Sequence, residues 1–137
     1  MSESEDRSAI DALIGSFFAA FDNRAGRIPV EAALLAHFAD LAVVAKHHDG
    51  QCELASPAGF AAPRVALLKR GELVDFHEWE VSSETSIFGT VAIRTSRYSK
   101  SGSFNGAPYA GTGTKFFQLA RLEPGWRIVA LSWIDDP

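Results

Sequence analysis

Seven residues, Lys46-His47-His48-Asp49-Gly50-Gln51-Cys52, hold two of the chain's four histidines and its single cysteine. Imidazole, carboxylate and thiol side chains this close could bind a metal ion, or pair as a histidine-activated thiol. A zinc site, however, needs three or four converging ligands, and the chain contains no CxxC, HxxxH or HExxH spacing. Asp49-Gly50 lies between the apolar runs Val43-Val44-Ala45 and Leu54-Ala55. That pattern predicts a hairpin with a two-residue turn, whose central residues both take positive φ. The turn sets His48 opposite Gln51, His47 opposite Cys52 and Lys46 opposite Glu53. Adjacent side chains on a strand point to opposite faces, so the two histidines diverge and no metal site is expected. Val43, Ala45, His47, Cys52 and Leu54 share the more apolar face, which makes His47 and Cys52 candidates to face inward.

A second group lies in Val74-Asp75-Phe76-His77-Glu78-Trp79-Glu80-Val81. Alternation puts His77, Trp79 and Val81 on one face, with Glu78 and Glu80 on the other. A three-residue turn at Phe88-Gly89-Thr90 would add Val91, Ile93, Thr95 and Arg97 to the His77 face. Such a turn matches apolar with apolar and is the preferred register; a two-residue turn would instead put Arg97 beside Glu80. A titratable imidazole beside an indole and a guanidinium could then receive an anion or a carbonyl group. His77 and His47 are therefore the candidate general bases, with Arg97 or Trp79 orienting a substrate.

The elements that must position these residues follow from hydrophobic spacing. Ile10, Leu13, Ile14, Phe17, Phe18 and Phe21 recur at helical intervals behind Ser8, leaving residues 1–7 as an expected flexible lead. Phe17, Phe18 and Phe21 are candidates to line any cavity under that helix. Pro29 opens a short second helix through Val30, Ala33, Leu34 and Phe38. Ser56-Pro57-Ala58-Gly59 leads into a third that ends at Gly71, with Pro63 tolerable only in its first turn. Strands follow over 73–87, 91–99, 112–122 and 126–135. Residues 99–111, rich in glycine and serine yet carrying Phe104 and Tyr109, read as a long binding loop or a hairpin tip. The order ααββαββββ makes a single α+β domain with helices on one face of an antiparallel sheet. The last strand, with Trp133, is apolar on both faces, so a second subunit is expected to cover the outer side.

Composition narrows the function classes. The 137 residues carry a net charge of −4 with no basic stripe, which gives no electrostatic case for nucleic acid. The acidic start MSESEDRS lacks the pattern of a secretory signal, and no apolar run is long enough to span a membrane. A lone cysteine suits a reducing compartment, and the expectation is a cytoplasmic protein.

The phrases SFFAAFDN, HFADLAVVAKHHDG and EPGWRIVALSWID, in this element order, resemble the nuclear transport factor 2-like superfamily, closest to its SnoaL-like branch. The resemblance covers roughly residues 8–135. It implies a strongly curved antiparallel sheet wrapped around helices, a cone with an apolar pocket, and a homodimer packed through the sheet. Members include ketosteroid isomerases, polyketide cyclases, dehydratases and non-catalytic binding domains, none of which needs a cofactor. The isomerase-like members carry a carboxylate base soon after a Phe-Ala-Asp-like phrase and a tyrosine on the first helix. Here Leu41–Lys46 follow Phe38-Ala39-Asp40 without a carboxylate, and Phe17, Phe18 and Phe21 stand on the helix. The resemblance thus implies first a binding domain for a small apolar or aromatic ligand, and the residues read above as its candidate contacts are Phe17, Phe18, Phe21, Cys52, Trp79, Tyr109 and Trp133. The alternatives are an acid–base enzyme using a pocket histidine and a structural dimerisation module.

Overall fold

A computed structural model describes residues 2–137. Its order is α1 (Glu3–Ala19), a 3₁₀ turn (Arg24–Gly26), α2 (Glu31–Leu35), β1 (Phe38–His48), β2 (Gln51–Ala55), α3 (Pro57–Lys69), β3 (Leu73–Phe88), β4 (Val91–Phe104), β5 (Ala107–Leu122) and β6 (Gly125–Asp135). The expected ααββαββββ sequence of elements is present, in an α+β fold. The six strands form one curved, unclosed sheet in the order β2-β1-β6-β5-β4-β3. All pairings are antiparallel except β1 with β6, which run parallel.

Helix α1 begins earlier than its apolar stripe suggests. Ser2 accepts from the Glu5 amide at 3.1 Å and Glu5 accepts from the Ser2 amide at 3.2 Å, a reciprocal cap one and a half turns before Ser8. Residues 3–7 are thus helical rather than a loose lead. Asp6 is buried, accepting from Arg121 and from the Trp126 indole, each at 2.9 Å. The helix presses Ile10, Ile14, Phe17 and Phe18 against Phe117, Leu119, Ile128 and Leu131 of the sheet. Phe17 sits at the centre, edge-to-face with Phe21, Phe38 and Phe117 at 5.4–6.0 Å, the arrangement aromatic quadrupoles favour.

In α3 the first-turn proline is Pro57, behind the Ser56 cap, and Pro63 lies in the helix interior. It forfeits the backbone bond to Gly59 that any other residue there would make. Pro29 likewise falls just outside α2, which is capped by Val30.

The β1–β2 hairpin has the expected register, His48 opposite Gln51 and His47 opposite Cys52, with Asp49 at φ 49° and Gly50 at φ 75°. Residues 99–111 form no loop. β4 and β5 run on through them as paired strands and turn only at Asn105-Gly106, φ 49° and 83°. Asn-Gly is itself a strong hairpin signal, masked here by the glycine and serine around it. The β3–β4 turn has two residues, Gly89-Thr90, with Phe88 opposite Val91, so the three-residue register is overturned. Two irregularities interrupt β3, at 74–77 with Asp75 at φ 51° and at 80–82, the kind of bulge that bends a strand and increases its twist.

Candidate functional site

With Phe88 opposite Val91, every inward assignment on β4 reverses. Ala92, Arg94, Ser96 and Tyr98 are buried, whereas Val91, Ile93, Thr95 and Arg97 are exposed. On β3 the kink at Asp75 places Phe76 and Glu78 inside, so His77 and Trp79 project from the other face. They stack there with ring centroids 4.4 Å apart, and Trp79 is 40% exposed. Arg97 donates to Thr114 at 2.8 Å and to Asp136 at 2.7 Å on the outer surface. On β1 the buried residues are Phe38, Ala42 and Val44, which puts Lys46 inside and leaves His47 and Cys52 exposed. The candidate catalytic group His77, His47 and Arg97 is therefore not assembled. Among the described residues, no three His, Cys, Asp or Glu side chains are placed to hold a metal ion. No helix there is long and apolar enough to cross a membrane.

A cavity of about 340 Å³ does open between the helices and the inner face of the sheet. Phe21 from the end of α1 and Phe60, Pro63, Arg64, Leu67 and Leu68 from α3 form its helical wall. Leu73 and Phe76 of β3, Tyr109 of β5 and Trp133 of β6 complete the apolar surface. Of the residues expected to contact a ligand, Phe21, Tyr109 and Trp133 line it. Phe17 and Phe18 lie deeper, in the core, while Trp79 and Cys52 lie outside.

The charged groups in the cavity are lysine, arginine and carboxylate. Lys115 on β5 pairs with Glu78 on β3 at 3.0 Å, both side chains less than a tenth exposed. The Lys115 ammonium lies 4.0 Å from the centre of the Tyr98 ring and 5.0 Å from that of Trp133. Burial pulls Lys115 below the ordinary lysine range, against the opposing charge of Glu78. Nearby, Lys100 on β4 pairs with Asp135 on β6 at 3.2 Å, and Asp135 also accepts from the Tyr98 hydroxyl. Burial would raise the Asp135 carboxyl, but the Tyr98 hydrogen bond and the Lys100 charge hold it below its usual range. Burial, reinforced by Asp135, drives the Tyr98 phenol far above its ordinary value, so it stays protonated and donates.

Tyr98 reaches Asp135 because Gly113 stands between them. A Cβ at that position would collide with the tyrosine hydroxyl and lie 2.6 Å from the Ile134 carbonyl. Arg64 projects from α3 with its guanidinium carbon 4.4 Å from the Phe60 ring centre and 5.2 Å from that of Trp133. Among the described residues its side-chain hydrogen bond goes to the Phe60 carbonyl at 3.0 Å, and burial lowers its pKa.

Sequence reasoning missed this charged set, although a signal existed for one member. Lys115 shares strand parity with Phe117 and Leu119, so an inward Phe117 and Leu119 require an inward lysine. Alternation alone sets Glu78 and Glu80 on the face opposite His77, toward solvent or a partner subunit. In fact Glu80 also faces in, binding Arg94 at 2.6 Å and Ser96 in a separate network that Asp11 of α1 completes.

No sequence-family profile matches the chain, and neither does any curated protein. Solved structures do match along its whole length. A provisional aromatic ring hydroxylase from Novosphingobium aromaticivorans superposes with TM-score 0.78 at 20% identity, over 100% of this chain and 94% of that one. A hexachlorocyclohexane dehydrochlorinase from Novosphingobium barchaimii gives 0.77 at 15% identity, covering 98% and 88%. A nuclear transport factor 2-like superfamily protein from Salmonella enterica gives 0.77 at 14% identity, covering 99% and 94%. The fold is the nuclear transport factor 2-like, or cystatin-like, cone, as the resemblance implied. At these identities the likeness concerns the fold, on which many functions are built.

Proposed function

We propose that this chain is a small-molecule-binding domain whose cone cavity receives an apolar or aromatic ligand of modest size. The observation that carries the reading is the cavity itself. About 340 Å³ lies in the lower part of the range of small-molecule sites, and aromatic walls with a few convergent polar groups are their usual construction. Phe60, Phe76, Tyr109 and Trp133 supply those walls without filling the space. A dimerisation module with no ligand would have no use for such an opening. Native mass spectrometry of freshly purified protein is expected to show a co-purified small molecule that denaturation releases. Leu67→Trp, which fills the cavity from α3, should lose it. A folded wild-type protein that binds nothing from a diverse set of aromatic fragments would overturn the reading.

One observation favours a second reading, an enzyme working by proton transfer without a cofactor. The Lys115–Glu78 pair opens into the cavity, so a proton donor and a proton acceptor face any bound molecule. No histidine lines that cavity, and an acid–base role would fall to these two residues.

The outer sheet face is proposed to pack against a second copy of the chain. Val91 and Ile93 of β4, Phe116 of β5 and Ile134 of β6 lie on neighbouring strands of that face, each between 41% and 53% exposed. A self-complementary patch of this kind suits a two-fold dimer.

A further inference from the structure

The cavity is apolar in its walls but unbalanced in its charges. Four cations line it, Lys46, Arg64, Lys100 and Lys115, against two carboxylates, Glu78 and Asp135. Both carboxylates are already engaged, Glu78 by Lys115 and Asp135 by Lys100 and Tyr98. Among the described residues neither Arg64 nor Lys46 has a carboxylate within ion-pair distance. Two positive charges therefore face the same small, aromatic-walled space without a direct ion pair, although Glu53 stands across the hairpin from Lys46 and, with Glu78 and Asp135, acts on Arg64 at longer range.

Burying a charge without a partner is costly, and a site that keeps one stays in tension until something neutralises it. Arg64 shows that tension. It is half-buried, its guanidinium lying over the Phe60 ring and near Trp133, and among the described residues its side-chain hydrogen bond goes to a backbone carbonyl. A guanidinium presents a planar fork of donors that matches a carboxylate in two parallel hydrogen bonds. The rings beside it offer stacking surface to a planar body attached to that carboxylate.

We infer that the ligand is an aromatic monoanion, an arene carboxylate or a close planar equivalent. Its acid group lies between Arg64 and Lys46 and its ring against Phe60 and Trp133. The inference rests on the binding role proposed above and adds the charge and shape of what is bound. Lys100 and Lys115 then serve to hold the two cavity carboxylates, which would otherwise repel the ligand.

The test is a matched panel: benzoate, naphthalene-2-carboxylate and indole-3-carboxylate, with the primary amide and the amine of each ring, screened by ligand-observed NMR. The carboxylates are expected to bind at least tenfold tighter than their amides, and the amines to bind weakest. Arg64→Met, which keeps the side chain's length and apolar stem, should reduce the preference for acid over amide to less than threefold. Arg64→Lys should retain part of it. Lys46→Met provides an independent variant on a different element, and it should narrow the same ratio. Arg97→Met, outside the cavity, should leave the ratio unchanged. If acids, amides and amines bind alike, the anionic ligand is refuted and the binding role stands. If no member of the panel binds folded protein, both are refuted.

Discussion

Glu78 and Lys115 form the most deeply enclosed ion pair in the cavity, and their behaviour follows from that enclosure. Removing one partner leaves the other buried and uncompensated, which typically costs about 3–5 kcal/mol, whereas replacing both by apolar groups is often neutral. Glu78→Leu alone is expected to destabilise the domain by about that amount in urea unfolding, with Lys115→Met restoring most of the loss when combined. Equal midpoints for the single and double variants would show that water reaches the pair. At this scale the site was poorly legible in the sequence. His77 and Trp79 attract attention because histidine and tryptophan populate active sites, and their alternation with Val81 looks like an inner face. The inner face instead holds Phe76, Glu78 and Glu80, because the irregularities at 74–77 and 80–82 offset this segment's parity from that of Leu73 before it and Ile87 after it. A pattern of two mixed faces carries no sign saying which one is inside. Lys115 was the exception, since its parity with Phe117 and Leu119 was there to be read.

The elements themselves were legible almost throughout, because hydrophobic period and turn chemistry act locally. The Asp49-Gly50 turn fixed the β1–β2 register without help from the rest of the fold. What failed was any decision depending on distant partners: the length of the β3–β4 turn and the continuation of β4 and β5 to Asn105-Gly106. The exit of α1 offers a test at this level. Asp22 receives Arg24 through two side-chain nitrogens at 2.8 and 3.0 Å, and through its backbone amide at 2.9 Å. The Arg24 hydrogen bonds pull the carboxyl down from 3.8 to about 2. A carboxylate whose folded pKa is depressed adds stability that is complete above its unfolded value and vanishes as pH falls through the folded one. Stability should therefore decline between about pH 4 and pH 2, and Asp22→Asn should flatten that decline while lowering stability at neutral pH. An acid limb identical in the two proteins would remove Asp22 from the account.

For the whole molecule, the resemblance carried the reading further than the residues did. The cone and its curved sheet were implied by phrases such as EPGWRIVALSWID, while the charge inside the cone was not. The proposed pairing through the outer sheet face belongs to this scale. Light scattering at micromolar concentration should give twice the chain mass, and Ile93→Lys with Phe116→Lys should return the monomer with its fold intact. Monomer at every concentration would end that proposal. One feature of the topology also governs how the molecule comes into being. β6 is the last strand of the sequence, yet it lies between β1 and β5, and its parallel pairing with β1 joins residues some ninety positions apart. Pairings that distant close slowly, since the chain entropy must be surrendered before the contacts repay it. Until residues 125–135 dock, β1–β2 and β3–β5 are two separate pieces of sheet with exposed edges facing one another. The domain is then at its most vulnerable to aggregation, and a chaperone that shields those edges would raise its yield more than one that assists the helices.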